Sequence, residues 1–500
     1  MSLHKLTAGD GYTYLTRQVA AADATSRGFS SLGDYYAQKG ESPGEWMGRG
    51  LSGLPHFSVE GGVTEAQMKA LFGEGRHPDA ERIEAQMRAA GHGVPAILAA
   101  TRLGSPYQVC DDVGEFRRRC AAAYREVNAV LGVPRDWPIA DEDRAAIRTR
   151  IAVEMFREEY GRDPLDDRER SGFLARVSRQ ATTAVAGYDL TFSPVKSISA
   201  LWAIAPLAVA KQVEAAHRAA VEDVLAWLED HAAYTRTGPQ GVAQEDVTGL
   251  IAVAFTHRDS RAGDPDLHTH VAISNKVQTR RDGRWLALDG RPVHANTVAA
   301  SERYNTRLEA ELVARLGVAF EDRPGTEPGK RAVRELVGMD PRLLAAWSTR
   351  RQAIDAKRAE LAADFQARHG RPPNVVEALA LAQQATLATR DRKHEPRSHA
   401  EQRATWAEQA RQVLGGPGAV AGLVAGVLAG GKKPMLRSRR AERKWIAKKW
   451  ADQTAAQVVA TLAQTRSTWR INHVRAEAQR AARVAGIRLE NLDLAVDAVV

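Results

Sequence analysis

The sharpest pattern in the chain lies at residues 187–205, GYDLTFSPVKSISALWAIA. Tyr188, Leu190 and Phe192 alternate with Asp189 and Thr191, the period of two of a strand. Ser193 and Pro194 then read as a helix start, with serine as N-cap and proline at the first helical position. A long helix is predicted over 206–234, where Leu207, Val213, Val221, Val224, Leu225 and Leu228 recur near helical spacing. VTGLIAVAFTH and LHTHVAISNKVQ read as two strands joined by a loop containing Gly263 and Pro265. RRDGRW carries an Asp-Gly turn into another short strand. VAASERYNTRLEAELVARLG closes this stretch as a helix ending at Gly317. The opening MSLHKLTAGDGYTYL predicts a short strand, a turn at Gly9–Gly11 and a helix, with that strand central in the sheet.

Between these strands, residues 64–180 are rich in Ala, Arg and Glu and read as mostly helical, an insertion whose body runs over about 75–182. After about 325 the pattern is almost wholly helical. Leu343, Trp347, Ile354, Leu361 and Phe365 make a heptad-like stripe suited to core or helix pairing. The predicted class is therefore α+β. All strands fall in a 1–325 domain, followed by a helical region at 326–425 and a basic helical region at 426–500.

Five hundred residues imply two to four cores, and 44% hydrophobic content is that of an ordinary globular chain. Cys110 and Cys120 alone make no disulfide framework and fit a reducing compartment. No opening stretch reads as a secretion signal, so a cytoplasmic protein is expected. GAVAGLVAGVLAGG, residues 418–431, is too short to cross a bilayer, which takes about 20 residues. Its glycines 418, 422, 426 and 430 share one helix face, which predicts either a tightly packed helix or a glycine-rich linker.

Charge changes the picture at one end. Residues 431–500 hold 15 Lys and Arg against 6 Asp and Glu, which accounts for the chain's whole formal charge of +9. With Trp445, Trp450 and Trp469 interleaved, this tail suits nucleic acid, and a solvated helical surface is the alternative.

The candidate chemistry sits in HRDSRAGDPDLHTHVAIS, residues 257–274. Residues two apart on a strand face the same side, roughly 7 Å apart along the chain, so His268 and His270 point together. If the strand ending at His257 pairs antiparallel with theirs, His257 joins them. Three nitrogens with open coordination positions are what a catalytic metal needs. His4, His217, His231 and His294 read as ordinary core or surface residues, and Asp264 and Asp266 as turn formers. Asp189 lies inside a hydrophobic strand, where an unpaired carboxylate costs several kcal/mol. It requires a partner, and a ligand histidine whose second ring N–H it accepts is the natural one. Tyr12 and Tyr14, with Tyr35 and Tyr36, offer phenols that can attack a phosphodiester once a nearby cation favours the phenolate.

Taken in order, GDGYTYL, DYYAQKGESPGEWMGRG, GYDLTFSPVKSIS and AFTHRDSRAGDPDLHTHVAISN followed by DGRWLALDG resemble the relaxase domain of TrwC/TraI-type (MobF) conjugative relaxases, of the HUH endonuclease superfamily. The resemblance covers about residues 1–325 apart from the insertion. It implies an antiparallel-sheet palm with flanking helices, and a tyrosine that nicks one DNA strand at an origin of transfer and stays on the 5′ phosphate. It places the metal ligands on His257, His268 and His270 and the supporting aspartate on Asp189. The family's first tyrosine pair reads YTY here. Tyr12 matches best as first nucleophile, Tyr14 is the alternative, and Tyr35 and Tyr36 match the second pair. The implied cofactor is a divalent ion, Mg²⁺ or Mn²⁺, with Zn²⁺ binding in vitro. The implied partners are single-stranded origin DNA, relaxosome accessory proteins and a coupling protein.

Family members carry a helicase after the relaxase. GVLAGGKK at 426–433 resembles a phosphate loop but has Lys433 where Ser or Thr would hold Mg²⁺. The expectation is therefore a chain without the motor, either a truncated member or one that relies on a separate helicase. The alternatives are a rolling-circle replication initiator, a non-cleaving DNA-binding protein of the same fold, and a mononuclear iron oxygenase using two histidines and Asp189. The last would need a 2-oxoacid pocket, for which the sequence carries no signal.

Overall fold

The computed structural model describes residues 1–13, 15, 44–59, 62–109, 114–132, 139–178, 183–325, 331–389, 397–431 and 438–500. Ser2–Thr7 (β1), Glu45–Met47 (β2), Val185–Phe192 (β3), Ala252–Asp259 (β4) and Pro265–Ser274 (β5) build a five-stranded sheet in the order β1-β3-β5-β4-β2. The β3–β5, β4–β5 and β2–β4 pairings are antiparallel. The architecture is thus α+β with an antiparallel sheet.

The opening strand is not central as expected. It forms an edge, and its residues say why. Among Ser2–Thr7 only Leu6 is fully buried, whereas β3 and β5 bury residues on both faces. The strand that borders the histidines is β3.

Lys196–Ile204 (α1), Leu207–His231 (α2) and Gly290–Leu316 (α3) follow the strands. The chain stays extended through Val195 (φ −63°, ψ 155°), so α1 begins two residues after Pro194 rather than at it. The α2 and α3 helices pack along each other and cover one sheet face. The Phe192 and Tyr304 rings meet there at 5.2 Å and the Tyr188 and His294 rings at 5.5 Å. Gly290 is required at the start of α3, because an added Cβ would fall 1.9 Å from the Tyr188 hydroxyl. α3 ends at Gly317 in the left-handed conformation (φ 66°), as its sequence predicts.

The chain divides into two compact units, Met1–Pro106 with Ala186–Val500, and Tyr107–Val185. The second is built on Glu115–Val130, Asp141–Tyr160 and Asp167–Ser178 around its own core of Phe116, Ile151, Phe156 and Phe173. Helices Ala80–Ala89 and Val94–Thr101 belong to the first unit.

The C-terminal region refines three readings. The heptad-like stripe does supply core, with Leu343, Trp347 and Leu361 buried, but it runs over two helices. Pro341–Ala346 ends at Trp347, and Thr349–His369 (α4) starts anew. Trp445 and Trp450 do not face solvent. They pack into a core with Ile446, Val458, Leu462 and Val496, while Trp469 is exposed. Residues 418, 422 and 426 lie on a helix, Pro417–Ala429, but a Cβ added at any of them would meet nothing within 4 Å. No close helix contact uses that glycine face among the described residues. Among the described residues no single helix is long and apolar enough to cross a membrane, although His399–Leu414 and Pro417–Ala429, bent by 96°, together have the length and composition.

The last helices are integral to the first unit. Ile471–Val484 (α6) lies along α3. Arg303 donates from Nε to Asp223 at 2.5 Å and from Nη1 to Asp493 at 2.8 Å, and Arg307 joins the same two carboxylates.

Candidate metal centre

The register of the β4–β5 hairpin sets His257 directly opposite His268, with His270 two residues along and opposite Phe255. Because strand side chains alternate, all three imidazoles project from one face. Their ring centroids form a nearly equilateral triangle with sides of 5.2, 5.2 and 5.3 Å. One ligand nitrogen from each lies within 4.8 Å of the others. His257 is buried, and His268 and His270 are partly exposed.

Two of the rings are oriented by bonds from Nδ1. His270 Nδ1 stands 3.1 and 2.9 Å from the two carboxylate oxygens of Asp189, which is 1% exposed. His268 Nδ1 donates to the Asp266 carbonyl at 2.7 Å. A neutral imidazole with its proton on Nδ1 carries the lone pair on Nε2, the form a metal ligand requires. The donor set therefore fits a single divalent ion. Three nitrogens are softer than the all-oxygen set Mg²⁺ prefers, and suit Mn²⁺ or Zn²⁺.

Thr191, which the sequence pattern marks only as a strand position, belongs to this array. Its hydroxyl donates to Asp189 at 3.3 Å and lies 3.2 Å from His270 Nδ1. A period-two reading from Asp189 would have found it, since β3 pairs Thr191 with His270. Asp264 closes its turn, its carbonyl accepting the Ser260 N–H at 2.9 Å, but the sequence reading missed a second role. Its buried carboxylate accepts from the backbone N–H and hydroxyl of Thr349, both at 3.1 Å. Burial pushes that carboxyl up from the usual range, with Lys196 opposing.

The opposite sheet face holds a buried relay. Tyr304 Oη and His217 Nδ1 are 2.7 Å apart, His217 Nε2 and Thr269 Oγ1 2.8 Å, and the Thr269 and Thr256 hydroxyls 2.9 Å. Burial pushes the His217 imidazole down to about 3, and His268 adds a smaller repulsion. His217 is thus a satisfied core histidine.

Tyr12 sits in the turn after β1, 4% exposed, with its ring edge near Gly73. Tyr14, Tyr35 and Tyr36 lie outside the described residues. The structure thus brings together His257, His268, His270 and Asp189.

Comparison with known proteins adds the following. The chain is 33% identical over 191 residues to the multifunctional conjugation protein TraI of Escherichia coli, and 31% to that of strain K12. Those matches take in 36% of this chain and a tenth of the relatives' length. Among solved structures, it is similar to a copper-bound conjugative relaxase TrwC in complex with oriT DNA (23% identity, TM-score 0.44, 82% of this chain and 98% of that one). Another is TrwC complexed with a 27-mer DNA comprising the recognition hairpin and the cleavage site (30% identity, TM-score 0.38, 51% and 89%). The TrwC relaxase family model matches residues 8–413, a span that includes β2 to β5 and every residue of the histidine triangle. With most of its length matched, this chain belongs to the TrwC relaxase family.

Proposed function

We propose that this chain is the strand-transfer enzyme of conjugation, nicking one DNA strand at an origin of transfer through a tyrosine and rejoining it by the reverse reaction. The observation that carries this reading is the triangle of His257, His268 and His270 with Asp189 beneath His270, inside a TrwC-family match. The relatives it resembles in sequence, the multifunctional conjugation proteins TraI, point the same way.

In this reading His257, His268 and His270 would hold a divalent ion, which would supply Lewis-acid polarisation of the scissile phosphate. Asp189 fixes the His270 tautomer, and Thr191 holds Asp189. The Tyr12 phenol gives up its proton and its oxygen bonds to phosphorus. The bond from phosphorus to the 3′ oxygen breaks, and that oxygen leaves as a hydroxyl. One phosphodiester is exchanged for one phosphotyrosyl ester, so the reversal by a 3′ hydroxyl needs no added energy source. Tyr12 is favoured because it follows β1, which borders the Asp189 strand. Tyr14 is the alternative nucleophile, and Tyr35 and Tyr36 serve a second transfer.

The substrate is single-stranded DNA at the origin, with relaxosome accessory proteins and a coupling protein as partners. A further phosphate-contacting surface is offered by Arg440, Lys444 and Lys448. They are exposed, opposite the buried Glu442, Ile446 and Trp450. The deciding experiment incubates the full chain and Mn²⁺ with labelled single-stranded oligonucleotides tiling the DNA around its gene, followed by a denaturing gel. A covalent protein–DNA band that vanishes with chelator is expected. Free cleaved ends with no adduct, or no cleavage of any tile, would overturn the reading.

A further inference from the structure

The hairpin that carries the histidines has an exposed-looking sequence at its tip, SRAGDP, and nothing in the metal chemistry explains what keeps that tip still. Its contacts do. On one side, Lys196 Nζ donates to the Pro265 carbonyl at 2.9 Å, and the Ser199 hydroxyl accepts the Leu267 N–H at 3.2 Å. These are the lysine and second serine of the PVKSIS stretch, and they fix the start of β5 immediately before His268. On the other side stand residues from far along the chain. Trp406 Nε1 donates to the Gly263 carbonyl at 2.9 Å. Gln402 Nε2 donates to Asp259 at 3.0 Å. Thr349, the first residue of α4, gives both its donors to Asp264. Gln402 and Trp406 are on His399–Leu414 (α5), itself anchored on α1: the Trp202 and Trp406 rings lie 5.4 Å apart, and Arg403 donates to the Trp202 carbonyl at 2.8 Å.

We infer that α4 and α5 form a clamp on the β4–β5 hairpin, with Asp264, Thr349, Gln402 and Trp406 as positioning residues that set the register and spacing of the three histidines. The physical case rests on where the hairpin would otherwise move. A two-stranded tip beyond its last ladder bonds frays easily, and the β4–β5 register already shifts between His257 and Asp259. His257 and His268 are the last directly opposed pair before that shift. A metal site tolerates misplacement of only about half an ångström, so a frayed tip would open the triangle at its His257–His268 side first. The clamp also accounts for a catalytic family match that continues through helices lying beyond every strand of the sheet, to residue 413. The effect on metal binding rests on the metal reading above, while the effect on the hairpin does not.

The test uses the full chain with D264A/W406F, which removes the carboxylate and one indole donor while keeping an aromatic ring in place. D264N serves as the rescue variant: its amide oxygen can still accept the Thr349 N–H and its amide nitrogen can donate to the Thr349 hydroxyl. Hydrogen exchange without metal is the first readout. Amides of 255–257 and 268–270 should exchange at least tenfold faster in the double variant, with those of α2 and α3 unchanged and D264N close to wild type. The second readout is Mn²⁺ affinity by calorimetry, expected to fall about tenfold, the lower end for outer-shell partners. With it, kcat for strand cleavage should fall at unchanged KM for DNA. Wild-type exchange rates at the hairpin in D264A/W406F would overturn the clamp. So would equal acceleration across all helices, which would report global loosening. Wild-type protein that binds no Mn²⁺ would instead overturn the metal reading, leaving the exchange result to decide the clamp.

Discussion

Replacing Asp189 by asparagine changes one charge at a side chain that is 1% exposed and 2.9 Å from His270 Nδ1. The amide oxygen can still accept the ring N–H, so the tautomer and ring orientation survive. What is lost is the ionic part of the bond. Hydrogen bonds to a charged group contribute about 1.5–3 kcal/mol and neutral ones about 0.5–1.5, so the loss is about 1.5 kcal/mol of ligand orientation and basicity. At 1.36 kcal/mol per decade, D189N should weaken divalent-metal binding about tenfold. The same change removes a buried charge, whose desolvation opposes folding, so the metal-free protein should melt no lower than wild type. Calorimetric titration with Mn²⁺ at neutral pH, beside thermal melts without metal, separates the two effects. D189N that binds Mn²⁺ as tightly as wild type would refute the reasoning, and so would affinity lost only in step with stability.

Four further outcomes are expected. H268A/H270A should lose measurable Mn²⁺ binding and strand cleavage while keeping its circular dichroism spectrum, and cleavage by it in chelator would sink the metal assignment. Y12F should fail in first-strand cleavage, and mass spectrometry of the wild-type adduct should find DNA on Tyr12; a peptide linked at Tyr14 would refute the choice. R440E/K444E/K448E should reduce the slope of log affinity against log salt for single-stranded DNA by about 2, since each phosphate contact contributes about 0.7; an unchanged slope removes that helix from the DNA surface. His217 is held neutral by burial down to about 3. The unfolded chain therefore binds a proton that the folded one refuses as pH falls below about 6.5, and stability from this group is lost in that window on acidification. H217Q should show a shallower acid limb in its melting temperatures between pH 6.5 and 4, and an identical limb would show that other groups dominate.

The histidine triangle was legible because its geometry is local. A two-residue spacing on a strand and a short hairpin bring three side chains together with no long-range information. Asp189 was legible from cost alone, since a carboxylate inside a Tyr-Leu-Phe alternation demands a partner. The tip of the same hairpin was not legible. Asp264 beside a glycine reads as turn chemistry, and nothing near it signals that its acceptor oxygens serve Thr349, 85 residues on. The Trp406 bond to Gly263 spans 143 residues and ends on a backbone carbonyl, which no side-chain pattern records. The place of β1 failed for a related reason. Ser2–Thr7 has the length of a strand, but edge or centre is decided by which strands fold against it. The tryptophans of the basic tail were misassigned because a period of four that buries Glu442, Ile446 and Trp450 was read as composition rather than as a face.

Strand register ties these features into one constraint. On β5, His268 and His270 face the metal side, while Leu267, Thr269 and Val271 face the helices. Thr269 lies between the two histidines in sequence, and its hydroxyl meets both His217 and Thr256 in the buried relay. A slip of one residue would turn every side chain to the other face. It would bury two imidazoles against α2 and α3, take Thr269 away from His217 and take His270 away from Asp189. The relay is therefore a reporter of the same register that the metal site requires, built from uncharged groups on the far side of the sheet. The β4–β5 hairpin is specified twice, once by polar satisfaction behind it and once by the contacts at its tip. The three histidines inherit their triangle from both.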